Sequence, residues 1–184
     1  MKKPIILCVP INLRNFFPSQ SLRNFFGTLY VSYNSGKTGS NLSDIIDVVK
    51  NSFKKNLTVE SRRLQLDSYS KIEHNPFAKI APLPFKDICL RCAYDINMKK
   101  STASLSNVGI VNFPPQLKKY IRAFDVCTGT NKLQACICSF EDILSISFTT
   151  PFISSDIERA FFTSLTNQGL GVTVYSNMPG GETL

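Results

Sequence analysis

This chain is short of histidine, tryptophan and long apolar runs. Its 184 residues hold one histidine and no tryptophan. Any His-dependent acid–base step must therefore use His74 or a residue from another chain. His74 sits in Glu73-His74-Asn75-Pro76, where a proline closes the preceding helix, so it reads as a polar helix end. There is no G-x-S-x-G elbow, which removes the common serine-hydrolase signature. Ser35-Gly36-Lys37-Thr38 imitates the tail of a phosphate-binding loop, but Val31 stands where the first glycine is required, and a P-loop is rejected. The apolar run from Ile5 to Val9 is closed by Pro10, short of the roughly 7–15 residues of a signal-peptide core. No stretch approaches the roughly 20 apolar residues of a membrane span. The expectation is a soluble, cytoplasmic protein with no membrane span.

Runs of one charge are also missing. The net charge is +8, yet the cations come as doublets, at Lys2-Lys3, Lys54-Lys55, Arg62-Arg63, Lys99-Lys100 and Lys118-Lys119. A nucleic-acid footprint is a clustered stripe with a reading motif, so no nucleic-acid partner is expected. The balance speaks to solubility and weak attraction to anions, a phosphate-bearing cofactor included.

What is present is apolar bulk: 43% hydrophobic residues and 14 phenylalanines. That composition, with ordinary charge content, belongs to a globular fold. The length fits a single domain over 1–184, able to bury about two-thirds of its unfolded surface. Six cysteines stand at 8, 89, 92, 127, 136 and 138. Cys89-Leu90-Arg91-Cys92 has the spacing of half a zinc site, and Cys136 and Cys138 share a strand face. Neither pair lies in a glycine-rich knuckle, so no metal is expected and buried, reduced thiols are the reading.

The pattern along the chain is alternating α/β without repeats. Residues 4–10 and 25–33 read as strands, the latter for Tyr30, Val31 and Tyr33. Apolar positions 42, 45, 46, 49, 53 and 57 mark one helix face, with Ser40 or Asn41 as N-cap. A more polar surface helix follows over about 59–72, then, after Pro76, Pro82 and Pro84, a buried helix over about 85–96. Further strands are expected at 103–106, 120–127, 133–140, 143–149 and 172–175, with a helix over about 155–167 capped by Gly169. Glu141-Asp142 falls in a solvated turn. The natural architecture is α/β (α+β): a mixed β-sheet with helices packed mainly on one face.

Two stretches carry chemistry. Val9 to Ser19 and Leu22 to Gly27 combine two arginines, three asparagines, two Phe-Phe pairs and two prolines. That mixture is too polar for a buried strand and too apolar for a free tail, and it places the segment at a sheet edge facing a cleft or partner. Thr102-Ala103-Ser104-Leu105-Ser106-Asn107-Val108-Gly109 alternates short polar side chains along a strand ending in Asn and Gly. Hydroxyls and an amide there suit a carbonyl or oxyanion if the strand end opens into a cleft. On spacing alone, a β-bulge or turn with self-satisfied hydroxyls is the better reading of the same residues.

Val9-Pro10-Ile11-Asn12-Leu13-Arg14 with Leu22-Arg23-Asn24-Phe25-Phe26-Gly27, then Asn75-Pro76, Ala81-Pro82-Leu83 and Ser106-Asn107-Val108-Gly109, in that order, resembles the bacterial alcohol acetyltransferase-like proteins. These belong to the chloramphenicol acetyltransferase and condensation-domain superfamily. Ser147-Phe148-Thr149 through Phe161-Phe162, Leu165 and Gly169 continue the pattern over nearly the whole chain. The resemblance implies a two-lobed enzyme in which acyl donor and acceptor meet between lobes, with a His-x-x-x-Asp base on the N-terminal lobe. Here the fourth residue after His74 is Ala78, so the resemblance is to a C-terminal lobe without its catalytic partner. It implies a chloramphenicol acetyltransferase-like half and no catalytic residue on this chain. Ser106, Asn107 and Gly109 match the tunnel-lining strand, as substrate or oxyanion contacts. Asn12 and Arg14 match the Pro-x-Asn-x-Arg stretch near the lobe junction. There a guanidinium clamps a carboxylate, carbonyl or phosphate, or else ties down backbone carbonyls. The implied donor is acetyl-CoA or another acyl thioester, the acceptor a small-molecule alcohol. The implied partner is an N-terminal lobe from a longer or split product, or a second copy by self-association. The other reading is a non-catalytic remnant or binding module.

Overall fold

The computed structural model describes residues 3–36, 39, 41–76, 80 and 82–177. Lys37 and Thr38 of the phosphate-loop imitation, the N-cap candidate Ser40, Ala78 and Ala81 lie outside the described residues. The strands are β1 (Ile5–Asn12), β2 (Phe26–Tyr33), β3 (Ala103–Ile110), β4 (Leu133–Phe140) and β5 (Ile143–Thr149). The helices are α1 (Leu42–Asn56), α2 (Val59–Glu73), α3 (Leu83–Lys99), the short α4 (Pro115–Lys118) and α5 (Asp156–Asn167), with a 3-10 turn at Leu13–Asn15. The five strands form one mixed sheet in the order β2-β1-β3-β4-β5. β1 with β2 and β4 with β5 are antiparallel hairpin-type pairs, while β3 runs parallel to both β1 and β4.

Strand alternation divides the side chains between two faces. On the first lie Gly27, Leu29 and Val31 of β2 and, through the cross-strand register, Leu7, Leu105, Ala135 and Phe148. Helices cover this face at both ends. At β2, a Cβ on Gly27 would stand 3.1 Å from Gln65 Oε1 of α2, tighter than an ordinary contact, so α2 packs close against this strand. At β5, Phe148 meets Phe161 and Phe162 of α5 edge-on, with centroids 5.2 and 5.6 Å away. α5 ends in a Schellman arrangement: Gly169 takes a φ of +82°, its N–H donates to Thr166 O, and Leu170 N–H donates to Leu165 O.

On the second face, β4 is covered by chain that adds no strand to the sheet. Cys136, Cys138 and Phe140 of β4 are buried there. Phe113 and Phe124 lie over them, with Phe113 5.9 Å from Phe140 and 5.8 Å from Phe124, and Cys138 Sγ donates to Phe124 O. The stretch read as a strand at 120–127 is this cover, and it has no ladder; residues 172–175 likewise form no strand.

α2, read as a polar surface helix, is pinned by a buried cation. Arg62 is 5% exposed; its Nη1 donates to Thr28 O at 3.1 Å and to Gln65 Oε1 at 2.7 Å, and its Nε finds no acceptor among the described residues. α3 departs furthest from expectation. It was expected buried, yet none of its residues is, and Leu83, Phe85, Ile88, Leu90, Tyr94 and Ile96 are each more than half exposed. Apolar side chains spread around the helix rather than along one stripe, the pattern of a helix that is covered on several sides. Lys132, just before β4, holds the helix end: its Nζ donates to the carbonyls of Met98 and Ser101.

The outcome is visible in total area. The chain exposes 14642 Å², where a compact monomer of its size exposes roughly 8,900 Å². Folding hides about half of the extended-chain surface rather than the expected two-thirds.

Burial also sets a pH dependence. Desolvation raises the thiol pKa of Cys8, which lies across from Tyr30 in the β1–β2 register, and raises that of the Tyr30 phenol. Desolvation, then Asp125 and Cys136, raise that of Cys138. A raised folded-state value favours folding while the group is neutral, so the contribution is complete below the ordinary thiol pKa of about 8.5 and is lost as pH climbs through the raised values. Urea midpoints should therefore fall as pH rises above about 8.5, and Cys138→Ala should flatten the fall. An equal slope in the variant would assign the loss elsewhere.

Candidate functional site

The site begins at a proline. Ile6 N–H donates to Thr102 Oγ1 and Ile6 O accepts from Thr102 N–H, so the even-numbered residues of β1 turn their backbone groups toward β3. Pro10 stands in that series without an N–H to give. The β1–β3 ladder holds only Leu7 with Ala103 and Cys8 with Ser104. Beyond it the strands part, and a depression of about 200 Å³ opens between Pro10–Asn12 and Ser106–Asn107, closed by Arg14 and the 24–26 stretch.

Four of the five residues singled out in the sequence line this hollow: Asn12, Arg14, Ser106 and Asn107. They come from stretches more than 90 residues apart, joined by parallel pairing. Gly109 is not among the lining residues. It closes a bulge in which Val108 has no partner on β4. Its φ is +82°, and its N–H donates to Asn107 Oδ1 at 2.9 Å. That amide is therefore turned away from an oxyanion and toward its own loop, the bulge reading of the stretch.

Asn12 and Arg14 are also committed in part to their own segment. Asn12 Oδ1 accepts from Arg14 N–H at 3.0 Å, capping the 3-10 turn. Arg14 Nη2 donates to Ser21 O at 2.6 Å and Arg23 O at 2.7 Å, and its guanidinium carbon lies 6.0 Å from the Phe25 ring centroid. Of the two roles weighed for Arg14, tying backbone carbonyls is the one with hydrogen bonds in the structure. Those bonds run through Nη2. Among the described residues, Nη1, Nε and the Ser106 hydroxyl make no hydrogen bond, and Ser106 is half-buried.

Asn24, Phe25 and Phe26 complete the lining. They belong to the opening segment of paired phenylalanines, and the return of that segment onto Arg14 brings them here. Among the described residues, the lining carries one charge, positive, and no carboxylate, imidazole, thiol or amine. It can bind a carbonyl oxygen or an anion by donation; it holds no group suited to removing a proton from an alcohol.

Family models, curated proteins and solved structures yield no match to this chain. The site must be read from its own geometry.

Other sequence candidates lie elsewhere. His74 is exposed at the end of α2, with Nδ1 2.9 Å from Ser70 O. Glu141 occupies the β4–β5 turn at a φ of 50° and meets Lys118 at 2.7 Å. Among the described residues no cluster of His, Cys, Asp or Glu gathers as a metal site, and no helix is long and apolar enough to cross a membrane. A larger hollow of about 550 Å³ follows one side of α5 and, among the described residues, is lined by that helix and Gln168. No described residue faces it from a second element to form a second wall for a ligand.

Proposed function

We propose that this chain is the C-terminal lobe of a cytoplasmic O-acyltransferase of the alcohol acetyltransferase-like type. It would move an acyl group from a CoA-type thioester to a hydroxyl acceptor, and act only with an N-terminal lobe that brings the His-x-x-x-Asp base. The observation that carries this reading is the depression itself: donors from Asn12, Arg14, Ser106 and Asn107 around one hollow that lacks a base. Such a set stabilises the oxyanion of acyl transfer and leaves deprotonation to another chain. Its volume of about 200 Å³ is below the roughly 300–1,000 Å³ of a complete small-molecule site. It takes a thioester carbonyl and its neighbours, not a whole donor. The excess surface agrees, because Phe26 in the lining and Val108, next in sequence to Asn107, are each half or more exposed, as a surface awaiting a covering partner would be.

A second reading, a binding module of the same fold without catalysis, is favoured by one observation. Arg14 Nη2 and Asn12 Oδ1 are already taken by backbone groups.

Thiol release from acetyl-CoA, with a short-chain alcohol as acceptor, separates the two. The isolated chain should release none above background. Adding an N-terminal lobe with the His-x-x-x-Asp motif should restore release, and Ser106→Ala should then lower it by about 10²–10³-fold, the usual loss for an oxyanion donor. Release by the isolated chain that disappears with Ser106→Ala but not with His74→Ala would overturn the split-lobe reading. Complementation that Ser106→Ala leaves unchanged would favour the binding module.

A further inference from the structure

One sequence motif has no part in the depression: Cys89-Leu90-Arg91-Cys92. Both cysteines are exposed, and both lie in the middle of α3. Three residues along a helix advance about 4.5 Å and return to within about 60° of the same side, which puts the two Cα atoms about 5 Å apart. That separation falls inside the 4.4–6.8 Å range of disulfides. The Cβ atoms of such a pair stand about 5–6 Å apart, about 1–2 Å wider than a disulfide prefers. In a packed helix the core would resist that closure. In α3 no residue is buried, so the helix can tighten locally at the expense of its own turn alone.

The remaining cysteines are placed differently. Cys136 and Cys138 are buried on β4, and Cys138 Sγ is engaged by Phe124 O. Cys8 is half-buried against Tyr30. Cys127 is exposed but has no second cysteine in its own segment.

We propose that Cys89 and Cys92 form a redox-sensitive dithiol that a peroxide closes to an intrahelical disulfide. One thiolate sulfur attacks a peroxide oxygen; the S–O bond forms, the O–O bond breaks, and the departing hydroxide takes a proton to leave as water. The second sulfur then displaces the sulfenic oxygen. The S–S bond forms, the S–O bond breaks, and a second water leaves. Two thiols are oxidised and one hydrogen peroxide is reduced to two waters. A thiol reductant reverses the bond, because its geometry is strained and its position open. Closure distorts the middle of α3 and changes the apolar surface carried by Ile88, Leu90 and Tyr94. The inference does not depend on the function proposed above.

Trypsin supplies the test, because Arg91 lies between the two cysteines. The full chain is treated with stoichiometric hydrogen peroxide, blocked with an alkylating agent and digested without reductant. Peptides 87–91 and 92–99 should appear joined. Titratable thiols should fall from six to four, and far-ultraviolet helicity should drop and return on reduction. Cys89→Ser and Cys92→Ser should each abolish the joined peptide, while Cys127→Ser leaves it in place. Three results would each overturn the proposal: all six thiols surviving, a disulfide that includes Cys127 or joins two chains, or a sulfinic acid at one cysteine with the other still reduced.

Discussion

Replacing Phe140 with alanine should lower folding stability by about 3–5 kcal/mol, the range for a fully buried aromatic. Phe140 is 2% exposed, and its ring meets Phe113 edge-on at 74°. The loss should sit at the upper end of the range, because this contact does more than fill space. Among the described residues, the stretch from Pro114 to Thr130 adds no strand to the sheet. It is held over β4 by the rings of Phe113 and Phe124 and by the Phe124 carbonyl on Cys138. Removing the Phe140 ring opens a cavity and takes away the contact that seats Phe113, loosening the cover at the same time. Urea unfolding measures the first effect, and reaction of native-state Cys138 with a thiol reagent measures the second. Phe140→Leu, which keeps most of the volume, should lose much less and keep Cys138 protected. With total stabilities of domains at about 5–15 kcal/mol, a loss under 1 kcal/mol would mean that the cover is held by something other than this cluster.

The period-2 stretches of β4 and β5, and β2 with its tyrosines and valine, could be read from sequence because residues with a pleat-fitting pattern found neighbours to pair with. Residues 120–127 and 172–175 carry a similar pattern without a partner strand. β-propensity describes fit to a half-buried pleated surface, and pairing is decided by chain segments far away. Phe124 shows the difference, since its apolar side chain serves the core from an irregular backbone. α3 shows it in reverse. Its composition asks for burial, and the cover it asks for does not come from the described residues of this chain. The candidate site was legible by residue and not by arrangement. Asn12, Arg14, Ser106 and Asn107 could be named, but the hollow between them exists because Pro10 faces β3, and that follows only from the register. Arg14 could be read as a clamp or a tie. The return of Ser21 and Arg23 onto its Nη2, which no local pattern encodes, supplies the hydrogen bonds of a tie.

Leu13→Ala should cost about 2–5 kcal/mol, and its consequences should reach the depression. Leu13 is 1% exposed and stands between the two residues that shape one wall, Asn12 and Arg14. Its side chain presses on β2 so closely that a Cβ on Gly27 would lie 3.2 Å from Cδ2. Its backbone is equally occupied: the N–H donates to Phe25 O at 3.2 Å, and the carbonyl accepts from Phe16 and Phe17 N–H at 2.9 Å each. The 3-10 turn is thus nailed to the sheet by one leucine, and Arg14 then draws the 16–24 loop back over it. Truncating the leucine empties the space beside Gly27 and frees the turn, so the arginine loses a fixed base from which to hold Ser21 and Arg23. Limited proteolysis at Arg14 and Arg23 should accelerate in step with the loss of stability. Leu13→Met, close in volume, should cost less than about 1.5 kcal/mol and leave both sites protected. If Leu13→Ala destabilises the fold while the loop stays resistant, Arg14 anchors the wall by itself, and the depression is set by the arginine rather than by the leucine beneath it.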